Sequence, residues 1–395
     1  MKQIFHPRSH SPLLFALVCL FIQAGFQPLH AQTPEKDYLI YVLSEAADKI
    51  SLIRFGPGGA KVDHTFATGD MPTDIDGPHG IAIAPDKQSY YVSLAHGRPF
   101  GSVWKYSAKD DRVLGRVGLG YFPATMDINA DGTLLYVVNF NLHGDMVPSS
   151  VSIVATERML EVARVKTCAM PHGSRLNFQG TKHYSACMMD DMLVEIDTNT
   201  LKVSRHFLLT RGREMGMKGA PSATPASPRG VQHDMAGHGS EPPKPGDVSC
   251  SPTWAQPSPD GASVFVACNK SDEIVEVDTA SWTVRRRIPA SPGVYNLAIT
   301  RDGNRLIATN KRTSFVSVFD LKSGREIGRV STRRRVMHGV VITPDDRFAF
   351  VSVEGVGSEP GTVEIVDLAK LKIAARVDVA EGAAGIDFLR TEPAK

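Results

Sequence analysis

One pattern, written out in full between Ser258 and Ile288, recurs along this chain and restricts its fold more than any other feature. It opens on Pro259-Asp260-Gly261, a tight-turn signal in which Asp bonds its own backbone and Gly takes positive φ. An apolar run, Val264 to Ala267, follows; a polar loop then leads to the strict alternation Ile274-Val275-Glu276-Val277. A second turn, Asp278-Thr279-Ala280-Ser281, feeds Val284 and Ile288. With the apolar residues ahead of Pro259, this reads as four short antiparallel strands joined by hairpins. Counted from the residue seven before each Asp-Gly or its equivalent, copies begin at His79, Ala124, His172, Thr253, Tyr295, His338 and about Ala384, spaced by 45, 48, 81, 42, 43 and 46 residues. Four-stranded units at a period of about 40–50 residues predict an all-β fold, here a seven-bladed β-propeller. The 81-residue interval holds one blade plus about 40 extra residues. Asp37 to Ser44 and Ile50 to Phe55 lack an inner strand before them, and the inner strand Ala384 to Leu389 lacks a blade after it. Joined in one blade, the two ends close the ring and remove its free sheet edges.

The repeat resembles that of the YVTN family of seven-bladed propellers, which reads approximately PDG…YV.N……V.VID. Asp131-Gly132 with Tyr136-Val137-Val138-Asn139 matches it. So do Pro259-Asp260-Gly261 with Val275-Glu276-Val277-Asp278, and Asp302-Gly303 with Asn310 and Val318-Phe319-Asp320. The resemblance spans nearly the whole chain beyond residue 31 and implies the fold. It implies little about activity, because this architecture carries many functions.

Residues 1–31 stand outside the repeat. Lys2 and Arg8 make a basic start, Leu13 to Phe26 are mostly apolar, and Leu29-His30-Ala31 offers a small-residue cleavage site. This predicts a secretory signal rather than a membrane span, since the apolar core is too short and no stop-transfer pattern follows. Cys19 lies inside the apolar run, which argues against a lipoprotein anchor. Residues 32–395 are then expected to form one propeller domain, a periplasmic or secreted monomer in an oxidising compartment. Setting Lys2 and Arg8 aside takes the basic count from 44 to 42, equal to the 42 acidic residues. A neutral chain gives no case for nucleic acid or an anionic membrane as partner. A periplasmic protein partner stays open. Arg285 to Arg287, on an outermost strand, reads as solvated edge protection.

The segment 210–248 is rich in Gly, Pro and Ser, carries no periodic apolar face, and is expected to be a surface loop between two blades. It concentrates Met215, Met217, His233, Met235 and His238, soft and borderline metal donors. Met/His segments of bacterial periplasmic copper-handling proteins are loosely similar.

Three of the seven origins are His followed by Gly: His79-Gly80, His172-Gly173 and His338-Gly339; a fourth origin is Tyr295. Equivalent positions of a radial repeat face the axis alike, so these side chains are expected at one mouth of the channel. Three imidazoles converging there can hold a metal at about 2.0–2.1 Å and leave a position open. The following glycine is read as the means of a tight backbone turn. His96 and His143 fall in loops on the same face, and Glu354 beyond the second strand of its blade is a further candidate ligand or proton acceptor. The bland reading is a wet channel lined by histidines bonded to carbonyls. His64, His183 and His206 lie on strands away from the mouth and read as structural.

The remaining cysteines obey the repeat too. Cys168 and Cys250 precede the inner strands of adjacent blades, and Cys187 and Cys268 end the second strands of the same blades. The simplest pairing is Cys168–Cys187 and Cys250–Cys268, one of three connectivities; thiolate metal ligation is the alternative. No Gly-x-Ser-x-Gly elbow, phosphate loop or Cys-x-x-Cys-His haem motif occurs in the sequence. The expected function is transition-metal binding or delivery, copper or zinc, by the His cluster. The alternatives are a metal-dependent oxidoreductase, lyase or lactonase-like enzyme at the same site, or a metal-free interaction scaffold.

Overall fold

The computed structural model describes residues 34–71, 73–96, 100–221, 246 and 248–394, besides Met1. The expected secretory signal and His233, Met235 and His238 lie outside the described residues. The strands form seven antiparallel sheets around a channel. Blade one is built from both ends of the chain: Ala383–Pro393 is its inner strand, followed outwards by Lys36–Ser44, Lys49–Gly56 and Gly59–Ala67. Blades two to seven begin at the inner strands Pro78–Ile83, Pro123–Ile128, Pro171–Leu176, Pro252–Pro257, Val294–Ile299 and Met337–Ile342. The closure runs through an antiparallel ladder from Lys36 opposite Pro393 to Ser44 opposite Ala383. All-β architecture, seven blades and closure by the termini therefore stand as read from the repeat.

Burial explains the strand sequences. The second strands Ser89–Leu94, Ser263–Cys268 and Phe348–Val353 are buried at every residue, because a blade lies against each face, and they read as apolar runs. The outermost strands, such as Lys372–Val379, alternate exposed and partly buried residues because one side meets water. Apolar clusters are shared between neighbours; one joins Tyr38, Ile40 and Phe55 of blade one to Phe348, Phe350 and Val363 of blade seven. The hairpin glycines Gly132, Gly261 and Gly303 have φ of 75°, 74° and 71°. Blades two and seven place Lys87 and Asp346 in the same left-handed conformation, at φ of 60° and 55°.

Two expectations need correction. Segment 210–248 does not leave the sheet at once, because Met215–Lys218 adds a fifth strand to the edge of blade four beside Lys202–Leu208. Gly216 allows this, since a Cβ there would stand 2.5 Å from the Trp282 ring. Nor is Arg285 to Arg287 merely solvated edge protection. Arg285 pairs with Glu276 and Asp278, Arg286 with Glu276, and Arg287 with Glu273 and with Glu214 ahead of the fifth strand. The guanidinium groups offset buried carboxylates on the neighbouring strand, whose burial would otherwise be costly.

Both expected disulfides are formed, with Cα–Cα distances of 6.0 Å for Cys168–Cys187 and 4.5 Å for Cys250–Cys268. Sulfurs bonded to each other leave no thiolate for a metal, so that alternative is dropped. No helix among the described residues is long and apolar enough to cross a membrane.

Candidate metal centre

Side-chain hydroxyls and one imidazole lock the inner strands of blades two to seven in succession, and that of blade seven to blade one; between blades one and two the Asp387 carboxylate accepts from the Ile83 amide. Ser93 Oγ accepts from the Gly80 amide at 2.8 Å and donates to the Ala124 carbonyl at 2.9 Å. Ser352 does the same between Gly339 and Ala384, and Thr309 between Asn296 and His338. Thr125 donates to the His172 carbonyl and Thr253 to that of Tyr295. His172 itself contacts the Thr253 carbonyl through Nδ1 at 2.9 Å. The origins from Ala124 onward are thus held by their own backbone against the preceding blade, which aims their side chains at the axis.

The glycines after the histidines serve this approach rather than a turn of positive φ. A Cβ at Gly80 would stand 2.0 Å from the Ala124 carbonyl oxygen, and one at Gly173 2.3 Å from that of Thr253. At Gly339 it would meet the Ala384 carbonyl oxygen at 2.9 Å. Any side chain would push adjacent inner strands apart and widen the mouth.

His79, His172 and His338 converge as expected: all three are buried, and their candidate ligand nitrogens lie within 4.8 Å of one another. Ring centroids are 6.0 Å apart for His79–His172 and 5.2 Å for His79–His338. Two of the three outward nitrogens have acceptors. His79 Nδ1 lies 2.8 Å from Glu45 Oε2. His172 Nδ1 must carry its proton, because a carbonyl only accepts, so its Nε2 presents a lone pair to the channel. His338 Nδ1 stands 3.8 Å from Glu354 Oε1, too far to bond, and is buried without a partner. Ligating histidines in metal sites show this arrangement, the second nitrogen turned to a carboxylate or carbonyl.

Tyr295 completes the ring. Its hydroxyl lies 3.0 Å from His172 Nε2 and 3.1 Å from His338 Nε2. Since His172 Nε2 can only accept, Tyr295 donates to it and accepts from His338. Lys311 Nζ lies 4.4 Å from the Tyr295 ring centroid and is paired with Glu354. Glu354 therefore stands behind His338 and against Lys311, not among the converging nitrogens.

His96 and His143 are also placed outside the triad. His96 Nε2 bonds the other oxygen of Glu45 at 3.0 Å, and His143 Nε2 reaches His96 Nδ1 at 3.4 Å. Phe122 separates them from the channel, with its ring 5.4 Å from His79 and 4.9 Å from His96 between centroids. Both histidines line an outer groove of about 1550 Å³ with Phe100, Tyr121 and Asp76. Within the channel, a cavity of about 40 Å³ adjoins the triad, lined also by Thr125, Arg175 and Asn296. That is room for about three water molecules.

Burial sets the protonation states. Burial, then the neighbouring His79, pushes His172 down to about 3. Burial and the Lys311 charge hold His338 well below the usual histidine range. Burial opposes ionisation of Glu45, but His79 and the bonds from His79 and His96 outweigh it and hold the carboxyl well below the usual range. Burial and the charges of Glu354 and Glu45 push the Tyr295 phenol well up. Burial lowers Lys311 despite its pairing with Glu354. His172 and His338 are therefore neutral at neutral pH, the form a metal requires.

Glu45 and Lys311 are absent from the candidates drawn from sequence, though the repeat carries a signal for them. Glu354 follows its origin His338 by sixteen residues, and Lys311 follows Tyr295 by the same step. Ser44 pairs with Ala383 as Val353 pairs with Met337, so Glu45 occupies the Glu354 position in the blade made from both ends. A second ring of the repeat thus stands directly behind the first.

No family model matches the chain, and no curated protein matches it. Its fold is similar to solved structures. The periplasmic gluconolactonase of Pseudomonas aeruginosa aligns at a TM-score of 0.65 and 16% identity, over 90% of this chain and 99% of that one. Hydrazine synthase of Kuenenia stuttgartiensis aligns at 0.59 and 19%, over 83% and 98%. A protein of unknown function from Desulfotomaculum acetoxidans aligns at 0.60 and 13%, over 89% and 98%. At these identities the likeness establishes the propeller fold alone.

Proposed function

We propose that this chain is an exported propeller that holds one transition-metal ion, copper or zinc, between His79, His172 and His338, for metal binding or delivery. The observation that carries the reading is the orientation of the imidazoles: outward nitrogens face Glu45, the Thr253 carbonyl and Glu354, Nε2 of His172 and of His338 meet at the Tyr295 hydroxyl, and one nitrogen of each of the three rings lies within 4.8 Å of the others. An all-imidazole donor set suits zinc and copper. Glu45 would fix the His79 tautomer and raise its basicity, and the Thr253 carbonyl would do so for His172. Phe140, whose ring lies 4.8 Å from that of His172, and Phe122 exclude water on one side. Export is supported by the apolar stretch Leu13 to Phe26 and by two disulfides.

A metal-dependent enzyme at the same centre is the second reading, favoured by the cavity of about 40 Å³ beside the triad. A bound ion there would act as a Lewis acid on a small molecule or on water. His79, His172 and His338 would position the ion, and Thr125, Arg175 and Asn296 would border the bound molecule. The test is elemental analysis and calorimetry on tag-free protein taken from the periplasm. One equivalent of copper or zinc is expected; protein that binds neither is a metal-free scaffold. Turnover of a lactone or a thiol by the metal-loaded protein selects the enzyme reading.

A further inference from the structure

We infer that Tyr295 is the fourth ligand of this centre, binding the metal as a phenolate beside His172 and His338; the inference rests on the metal reading above. Ligands bound at about 2.0–2.1 Å in cis positions lie about 2.9–3.4 Å from one another, by the geometry of a tetrahedral or octahedral site. The Tyr295 oxygen already stands 3.0 Å and 3.1 Å from two Nε2 atoms, the edge lengths of such a polyhedron. The three histidine nitrogens, within 4.8 Å of one another, have to draw in by up to about 1.5–2 Å to share the ion in cis positions. Tyr295 also shares the repeat position of the three histidines, so the backbone presents its hydroxyl at the same level.

Charge supplies a second, independent argument. A divalent ion adds two positive charges to a buried site that already holds Lys311, with Arg175 lining the adjoining cavity. Glu45 and Glu354 bring two negative ones, and neutral imidazoles bring none. A phenolate at Tyr295 would add a third negative charge beside the ion and lessen the cost of burying it. Lys311, placed over the Tyr295 ring, lies beside that anion. On coordination the metal–oxygen bond replaces the phenol O–H bond, and the proton leaves to solvent. The Nε2 proton of His338 moves to its unpartnered Nδ1, towards Glu354.

The experiment uses tag-free, full-length processed protein with one equivalent of Cu(II). Wild type is expected to show a visible phenolate-to-Cu(II) charge-transfer band and tyrosinate ring modes in resonance Raman. Both should vanish in Tyr295→Phe, which keeps the aromatic ring under Lys311. Its affinity should fall at least as far as on loss of an outer-shell partner, about 10–100-fold. The wild-type Raman spectrum decides the matter even if the variant fails to fold. Wild type binding one Cu(II) without the band, and Tyr295→Phe binding it equally tightly, would make Tyr295 a hydrogen-bonding spacer and leave the metal reading standing. Wild type that binds neither copper nor zinc overturns the metal reading itself, and this inference with it.

Discussion

His172 and His183 lie on neighbouring strands of blade four; both are buried, and burial pushes both down to about 3. Their regions nevertheless differ in kind. At the mouth, His172 has Thr253 on one nitrogen and Tyr295 on the other, with His79 and Phe140 beside it. Between blades three and four, His183 stacks on Tyr136 at 5.3 Å and has no partner on either nitrogen. Depressed basicity is therefore a mark of burial, shared by packing and site residues alike. Convergence with other donors, and acceptors behind the rings of His79 and His172, distinguish the mouth.

The largest expected effect tests that distinction directly. Replacing His79, His172 and His338 together by Ala should abolish stoichiometric metal binding in calorimetry, whereas His183→Leu should bind as wild type does. A triple variant that still binds one equivalent tightly would place the site elsewhere.

Next comes stability without chemistry. Removing the Cys168–Cys187 bridge by a double Ser substitution opens a loop spanning 19 residues. It should cost about 3 kcal/mol, through the loop-closure entropy regained by the unfolded chain, and lower Tm. Metal bound per folded molecule should stay unchanged; a parallel loss of metal would tie blade four's packing to the site.

A smaller change is expected behind the ligands. Glu45→Gln removes the carboxylate from His79 Nδ1 and should weaken metal affinity about 10–100-fold with little change in Tm. An unchanged affinity would reduce Glu45 to a wall residue.

The smallest effect sharpens the other half of the comparison. His183 titrates at about 3 in the folded chain and near 6.5 unfolded, so the unfolded chain binds the extra proton between those values. Its contribution is constant above about pH 6.5 and is lost progressively as pH falls towards 3. From pH 7 to 5.5 this amounts to about 1 kcal/mol. Denaturant titrations at the two pH values should show that loss in wild type and a loss smaller by that amount in His183→Leu; identical slopes would mean His183 is solvated.

Much of this was legible beforehand because a propeller repeats its geometry with its sequence. Seven origins, closure by Ala383–Pro393, both disulfides and convergence of three histidines all follow from equal positions in equal blades. Glu45 was harder to see because it sits in the blade assembled from both termini, where the count along the chain is broken. The fifth strand Met215–Lys218 left little trace, since four residues paired on one edge need no apolar periodicity.

The sequence by itself determined which residues share a radius and a level, because a repeat ties position along the chain to position around the axis. It also set the glycines that keep adjacent inner strands close. Only the tertiary structure decided which nitrogen of each histidine faces the channel, since Glu45, the Thr253 carbonyl and Tyr295 come from other blades. It likewise placed Lys311 beside Glu354, and Phe122 between the triad and His96 and His143. Hydrogen bonds and charge act across space between side chains far apart in the chain. No local pattern encodes them until the ring is closed.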